Sequence, residues 1–574
     1  MVYQLPVMFG GNRLKGSALT AAVAFVSGVG FLLFGYDQGV MSGLLTENQM
    51  AAQFPKIAST EDGGGNVDSS VQGAVVAIYE IGALFGSLFV LWKGDTVGRR
   101  TSIFLGSIIM TVGSVIMTAS YGLGQFTVGR IITGIGNGMN TSTIPMWQSE
   151  LSKAHNRGLL VLIEGALIAG GIMISYWVDY GFYQIKNSSV QWRFPIAFQA
   201  AFAIILFFGI LALPESPRWL IKKGYKEEAA KVLAQLDATT VDDPEVVTVV
   251  RQLEESIVAS EQLMGEFSYK ELFTNGPEQN FYRTSIAFVA QAFQQLSGIN
   301  LITYYATTVF KSIQDDDTTA RLLAAGNGTE YFIASLFALF MIDTLGRRNL
   351  MMSTAFMMSA SMAILAGTTY VVNKAPKGSS PPEAYVAAVF LYFFNTMFAF
   401  GWLGMTWLYP PEITAIRIRA PASAIATSSN WLFNFLIVMI TPPAFASIGY
   451  QTYIIFAVLN MSFIPVIWAF FPETKRRGLE EMDLIFAESH EGQWWKASRF
   501  MTTACYLSLT KKSLTSEELD AELSSRFGNS AKRAALEGGD EKKIQGSPAQ
   551  GSEADKDEVN QFRDSASSHS GTRE

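Results

Sequence analysis

Three amides stand in the middle of an uncharged stretch. Gln294, Gln295 and Asn300 lie within residues 284–310, which contain no Asp, Glu, Lys or Arg. That stretch is long enough to cross a bilayer as a helix, and an amide without a partner is costly there. The three, with Tyr304 a turn beyond Asn300, must face polar groups, water or a ligand. Amides donate and accept at once, which suits a neutral compound rich in hydroxyls; the plainer alternative is glue between helices. Ionisable groups in equally apolar surroundings offer a second chemistry. Asp37 is the only charge in residues 16–46, and Arg130 the only one in 101–149. Charged groups at membrane depth are expensive and mark functional sites. Burial disfavours an ionised carboxylate and a nearby cation favours it, so a carboxylate with a movable cation makes a proton switch. Glu80 is a further carboxylate of this kind, readable as a buried network member or as part of an entry path.

These residues need a membrane scaffold to position them. Charged residues make up 16% of the 574, against roughly a quarter in soluble proteins. Residues 349–373, 384–411 and 420–472 carry none. The chain reads as an all-α membrane protein with twelve transmembrane helices, centred near residues 30, 81, 110, 137, 171, 204, 296, 332, 361, 398, 433 and 461. An even number puts both termini on one side. Lys93, Arg99, Arg100, Lys153, Arg157, Arg347, Arg348, Arg417 and Arg419 all fall in short even-to-odd connections, so the positive-inside rule places both termini in the cytoplasm. The first apolar run continues for a full span, which reads as an uncleaved insertion signal. Cys505 is the only cysteine, which excludes an intramolecular disulfide and a cysteine-based metal site. The expected organisation is an N-terminal tail (1–16), a six-helix half (17–220), a cytoplasmic helical insert (221–280), a second six-helix half (281–474) and a largely disordered tail (475–574). Asp243-Pro244 marks a helix start within the insert, and the tail is rich in Ser, Gly and charged residues.

The two halves repeat one plan. Gly94-Asp95-Thr96-Val97-Gly98-Arg99-Arg100 recurs as Ile342-Asp343-Thr344-Leu345-Gly346-Arg347-Arg348. Glu150 with Arg157 recurs as Glu412 with Arg419 at the same spacing, and Pro214-Glu215-Ser216-Pro217-Arg218 recurs as Pro472-Glu473-Thr474-Lys475-Arg476. Parallel halves of this kind suit a transporter that rocks around a central site. With Phe34-Gly35-Tyr36-Asp37, Gly129-Arg130 and Gln294-Gln295…Asn300, these motifs resemble the sugar porter family of the major facilitator superfamily over about Phe31 to Asp483. The segments around Glu80, Asn140–Glu150, Glu164 and Asn187–Pro195 are most similar to the fungal branch that contains the glycerol–proton symporter and monosaccharide carriers.

The resemblance implies roles. Asp37 binds the proton and Arg130 is its movable partner, an arrangement that passive relatives also keep. Gln294, Gln295 and Asn300 bind substrate with Trp402, whose face suits sugar C–H groups, and with Asn430, where many relatives have Gln. Asn395 and Trp407 share the helix of Trp402. Glu164 replaces a common Gln, which alters the hydroxyl pattern the site can read or makes a second proton site; Tyr331 replaces a substrate-binding Asn of some relatives, and both depart from a standard hexose site. Arg99, Arg100, Glu150, Arg157, Glu215, Arg347, Arg348, Glu412, Arg419 and Glu473 form a cytoplasmic charge network, whose pairs are expected to lock the two halves together when the site faces outward and to break when it faces inward. Asn187-Ser188-Ser189 is a glycosylation acceptor on the outer side. The expected activity is proton-coupled import of a monosaccharide or a polyol such as glycerol by a monomeric plasma-membrane protein. It involves no cofactor, metal or nucleic acid. A passive facilitator and a non-transporting nutrient sensor are the competing readings, and no set of residues points to an enzyme.

Overall fold

The computed structural model describes residues 14–511 apart from 60–65, 153–156, 265–268, 277, 314–315, 377–380, 416, 476, 478, 493 and 497–498. The first half runs through α1 (Gly16–Leu44), the short α2 (Asn48–Gln53), α3 (Ser69–Val97), α4 (Arg99–Thr118), α5 (Leu123–Glu150), α6 (Arg157–Tyr183) and α7 (Val190–Ala212). Helices α8 (Pro217–Lys222), α9 (Lys226–Asp237) and α10 (Pro244–Met264) make the connection. The second half comprises α11 (Asn280–Leu296), α12 (Ile299–Lys311), α13 (Asp317–Leu345), α14 (Arg347–Lys374), α15 (Pro382–Phe398), a π-helical turn (Ala399–Leu403), α16 (Met405–Ile413), α17 (Arg419–Ile448) and α18 (Gln451–Phe470). After it come α19 (Leu479–Glu491), a two-residue hairpin of β1 (Trp495–Lys496) and β2 (Met501–Thr502), and α20 (Thr503–Thr510).

Among the described residues ten helices are long and apolar enough to cross a membrane, the π turn being counted within one of them. The two further crossings are α5, whose inner face is polar, and the pair α11–α12. Together they give the twelve-span, two-half architecture of the major facilitator fold.

The continuous helix expected over 284–310 is in fact two. At Gly298 the backbone turns left-handed, with φ +96°, and a Cβ there would lie 2.8 Å from the Phe456 ring. Only glycine takes that conformation without strain. The break leaves a carbonyl free at Ser297, and Asn460 Nδ2 donates to it at 2.8 Å. Backbone freed inside a bilayer needs such a partner. Gln294 and Gln295 therefore end α11, while Asn300 begins α12.

A second departure concerns the tail. The described residues of 479–511 fold back under the second half, at the start of the segment expected to be largely disordered. Tyr282 Oη donates to the Phe470 carbonyl at 2.7 Å and lies 2.8 Å from Thr502 Oγ1. Gln279 Nε2 donates to the Phe486 carbonyl at 3.0 Å, and Arg283 pairs with Asp483. Cys505 is fully buried, and that burial pushes its thiol up to about 11. A thiol held neutral is chemically inert. The expectation of disorder beyond residue 511 lies outside the described residues.

The halves meet differently at the two ends of the bundle. Away from the Gly-Arg-Arg loops, which define the basic face, hydrogen bonds cross between halves. Tyr176 Oη donates to the Thr303 carbonyl at 2.6 Å, and Ser42 Oγ accepts from the Thr307 amide at 3.0 Å. Arg321 reaches the carbonyls of Gly43 at 3.0 Å and Thr46 at 2.9 Å, with Glu47 at 3.7 Å. This far face is bonded shut.

Candidate functional site

Midway through the bundle the second half holds a cluster of amides. Gln294 Nε2 donates to the carbonyls of Trp402 at 3.0 Å and Leu403 at 3.2 Å, on the π turn, where the widened helix exposes backbone oxygens. Asn430 Nδ2 donates to Gln294 Oε1 at 2.8 Å and to Gln291 Oε1 at 2.6 Å. Asn300 Nδ2 donates to Gln295 and, at 2.7 Å, to Asn434 Oδ1. All six amide side chains are buried. Gln291 and Asn434 were missed, although each lies one helical turn from a residue singled out, Gln294 and Asn430. The cluster is thus partly self-satisfied, as helix glue would be, but not wholly so. Asn434 Nδ2 and the indole N–H of the buried Trp402 have no acceptor among the described residues. Buried donors left in this way suit a ligand rich in hydroxyl oxygens.

Tyr331 is buried on α13 with its ring 6.3 Å from Phe398. Glu164 is buried on the turn of α6 whose Gly165 packs against Gly404, just past the π turn. No described hydrogen bond ties either residue to the amides. Asn395, on α15, bonds Asn327 at 2.7 Å and stands apart from the cluster.

The first half presents charges instead. Asp37 on α1 is fully buried, and neither carboxylate oxygen has a hydrogen-bond partner among the described residues. Arg130 and Tyr79 are the groups that act on it electrostatically. Arg130 does not close an ion pair with Asp37. Its Nη2 donates to the Val76 carbonyl at 2.7 Å, and its guanidinium lies 4.9 Å from the Tyr79 ring centre. The pair expected from the sequence is therefore a neighbourhood rather than a contact. Asn137, two turns along α5 from Arg130, is also buried with both amide atoms unpartnered, and was missed. Glu80 on α3 accepts from Tyr304 on α12, across the halves.

The basic face shows how the charges of the network pair. Glu150 binds Arg99 at 3.1 Å and Glu412 binds Arg347 at 2.9 Å. Arg419 donates to the Thr414 carbonyl at 3.3 Å, and the side chain of Arg157 is outside the described residues. Glu215 takes the amide of Arg100 at 3.1 Å, and Glu473 takes those of Arg347 at 2.9 Å and Arg348 at 3.1 Å. Each carboxylate thus caps the orphan N–H groups and positive dipole end of α4 or α14. Arg100 reaches back to the carbonyls of Ile210 and Leu211, at the end of α7, as Arg348 does to those of Ile467 and Trp468 on α18. Gly98 (φ +94°) and Gly346 (φ +88°) turn left-handed, and a Cβ on either would fall within 3 Å of the capping carboxylate. Burial raises the Glu215 carboxyl above its ordinary range even though the Ser216 and Arg100 amides lower it. Every described pair of this network closes within one half and braces it.

Asn187 sits exposed in the α6–α7 turn with φ 67°, whereas Asn140 and Asn327 of the other two sequons are buried.

This architecture and site have known counterparts. Residues 23–486 match the family described as "Sugar (and other) transporter". The chain is 42% identical to "Sugar transporter STL1" of Saccharomyces cerevisiae over 496 residues, 85% of either chain. It is 33% identical to "Hexose transporter 2" of Kluyveromyces lactis over 85% of each. Among solved structures it resembles the proton:xylose symporter XylE bound to 6-bromo-6-deoxy-D-glucose, with TM-score 0.67 and 25% identity, covering 82% of this chain and 100% of that one. It also resembles an inward-open form of XylE from E. coli, with TM-score 0.65 and 25% identity, over 81% of this chain and 99% of the other. With the repeated Gly-Arg-Arg clamps, the broken seventh span and the central amides in place, this chain belongs to the sugar transporter family of the major facilitator superfamily, a family of multi-pass membrane carriers and not of enzymes.

Proposed function

We propose that the protein is a proton-coupled symporter of the plasma membrane. It imports a small neutral polyhydroxy compound, either a monosaccharide or a polyol such as glycerol, by alternating access. The observation that carries this reading is the opposition across the centre of the bundle. Asp37, buried and without a hydrogen-bond partner, faces Arg130 in one half, and a half-satisfied amide cluster lies in the other. An isolated buried carboxylate takes up a proton readily because ionisation there is costly. Gln294, Gln295, Asn300, Asn430 and Trp402 bind the hydroxyls, and Glu164 and Tyr331 shape the remaining wall. The basic face and both termini lie in the cytoplasm by the positive-inside rule, which leaves Asn187 outside as a glycosylation acceptor. The bonded far face then makes this conformation inward-facing. The names of its relatives support a sugar-like cargo, and the XylE title supports symport with protons.

The test is uptake of labelled glycerol, glucose and xylose into yeast lacking its own carriers, with and without a protonophore. Accumulation above the external concentration that collapses with the protonophore is the expected result. Uptake that only equilibrates, and ignores the protonophore, would make the protein a facilitator.

A further inference from the structure

Glu80 lies at the centre of the molecule, and the symport reading leaves it without a role. It is fully buried on α3, and its Oε1 accepts from Tyr304 of the other half. Its Oε2 has no hydrogen-bond partner among the described residues, as is true of both oxygens of Asp37. Arg130 acts on Glu80 and on Asp37 alike, and Asp37 acts on Glu80. The inventory of charges around them is short. Helix α1 offers Asp37 and Tyr36, α3 itself adds Tyr79, α5 offers Arg130 with Glu150 at its basic end, and α6, packed along α1, carries Glu164, Tyr176 and, toward the far face, Asp179. Helix α12 adds Tyr304, Tyr305 and, at its far end, Lys311, while α17 carries no charge beyond Arg419 at its start. Two buried carboxylates thus share one guanidinium. With both ionised, an uncompensated negative charge stays in the membrane interior, so one proton belongs to the pair as a whole.

The partner of Glu80 is informative too. Tyr304 stands one turn beyond Asn300 on α12, so a single helix face touches the amide cluster at one point and this carboxylate at the next. Helix α12 also carries the Thr303 and Thr307 bonds that seal the far face.

We propose that Glu80 is the second carboxylate of a shared proton site with Asp37, and that its bond to Tyr304 transmits the proton load of that site to α12. The proposal rests on the symport reading. With the pair carrying its proton, Glu80 and Tyr304 hold α12 against α3 and the far face stays closed. With the proton released at the basic face, the pair bears a net charge, the Tyr304 bond is reorganised and α12 is freed to move.

The experiment uses full-length protein in proteoliposomes, with labelled glycerol and labelled xylose as probes. Exchange at equal concentrations and accumulation driven by an imposed pH gradient are measured between pH 4.5 and 7.5. Wild type is compared with Glu80→Gln, Glu80→Asp and Tyr304→Phe. Glu80→Gln is expected to keep exchange within about threefold of wild type, flatten its pH profile and lose at least about tenfold in accumulation, a shift of ~1.4 kcal/mol in coupling. Tyr304→Phe is expected to move the pH profile while keeping exchange, and Glu80→Asp to restore coupling with a displaced profile. Wild-type coupling with unchanged profiles in Glu80→Gln and Tyr304→Phe overturns the proposal alone. Should Glu80→Gln fail to reach the bilayer, unchanged profiles in both Tyr304→Phe and Glu80→Asp do the same. A wild type that shows no proton-driven accumulation of either probe overturns the symport reading and this proposal with it.

Discussion

The two halves of this protein are alike at their ends and unlike in their middles. At the basic face each half builds the same clamp: a left-handed glycine, a capping glutamate and an arginine reaching back to the last turn of its sixth span. Midway through the membrane the first half presents Asp37, Glu80 and Arg130, whereas the second presents six amides and a tryptophan. Repetition was kept where it braces a helix end, and it was lost where the two halves face each other. Ionisable groups suit a proton and amides suit hydroxyls, so the difference reads as a division of labour between driving ion and cargo.

The sharpest way to break that division is Asp37→Asn. It is expected to abolish uphill accumulation while leaving exchange of substrate across the membrane, measured with labelled glycerol and xylose. Accumulation at the wild-type rate would remove the first half from proton handling. Next in size are Gln294→Ala and Asn300→Ala in the second half. Loss of one partner of a buried hydrogen bond costs roughly 1–3 kcal/mol, or about five- to 150-fold in affinity. Apparent affinities from competition uptake check this, and unchanged values would make these amides glue between helices.

The likeness of the ends is probed by Gly98→Ala and Gly346→Ala. A side chain in left-handed backbone costs about 1–2 kcal/mol, and here it also meets Glu215 or Glu473. Both variants should lose similar stability in thermal unfolding of the purified protein, with a large inequality contradicting the equivalence of the clamps. The smallest effect is expected for Glu164→Gln, a change of preference between polyols and monosaccharides of less than about tenfold, or ~1.4 kcal/mol. Competition across a panel of both classes at two pH values reads it. An identical ranking would place Glu164 outside the site.

The span count and the internal repeat were legible because charge is so strongly segregated in a membrane chain. Asp37, Arg130 and the amides were legible for the same reason, as isolated polar residues in apolar windows. Periodicity does not report backbone handedness, so the break at Gly298 was read as one helix. Nor does it report partners: Glu150 and Glu412 were matched with arginines at a repeated spacing, when the geometry gives them Arg99 and Arg347. Gln291 and Asn434 were within reach, since each shares a helix face with a residue already chosen. The ordered segment 479–511 was hidden by its polar composition, because its anchors, Tyr282 and Arg283, lie some two hundred residues away in sequence.

The interruption at Gly298 has a mechanical meaning. Beyond it α12 runs 13 residues, with a second kink at Tyr305 (φ −130°, ψ 23°), and is joined to α11 at a single left-handed residue. A rotation of only about 10° at that joint moves Tyr304, roughly 9 Å along the helix, by about 1.5 Å, enough to strain its hydrogen bond while barely displacing Asn300 at the base. The seventh span is in this sense an articulated arm with two joints: one lies beside the amide cluster at Gly298, and the other lies at Tyr305 next to the residue that meets Glu80.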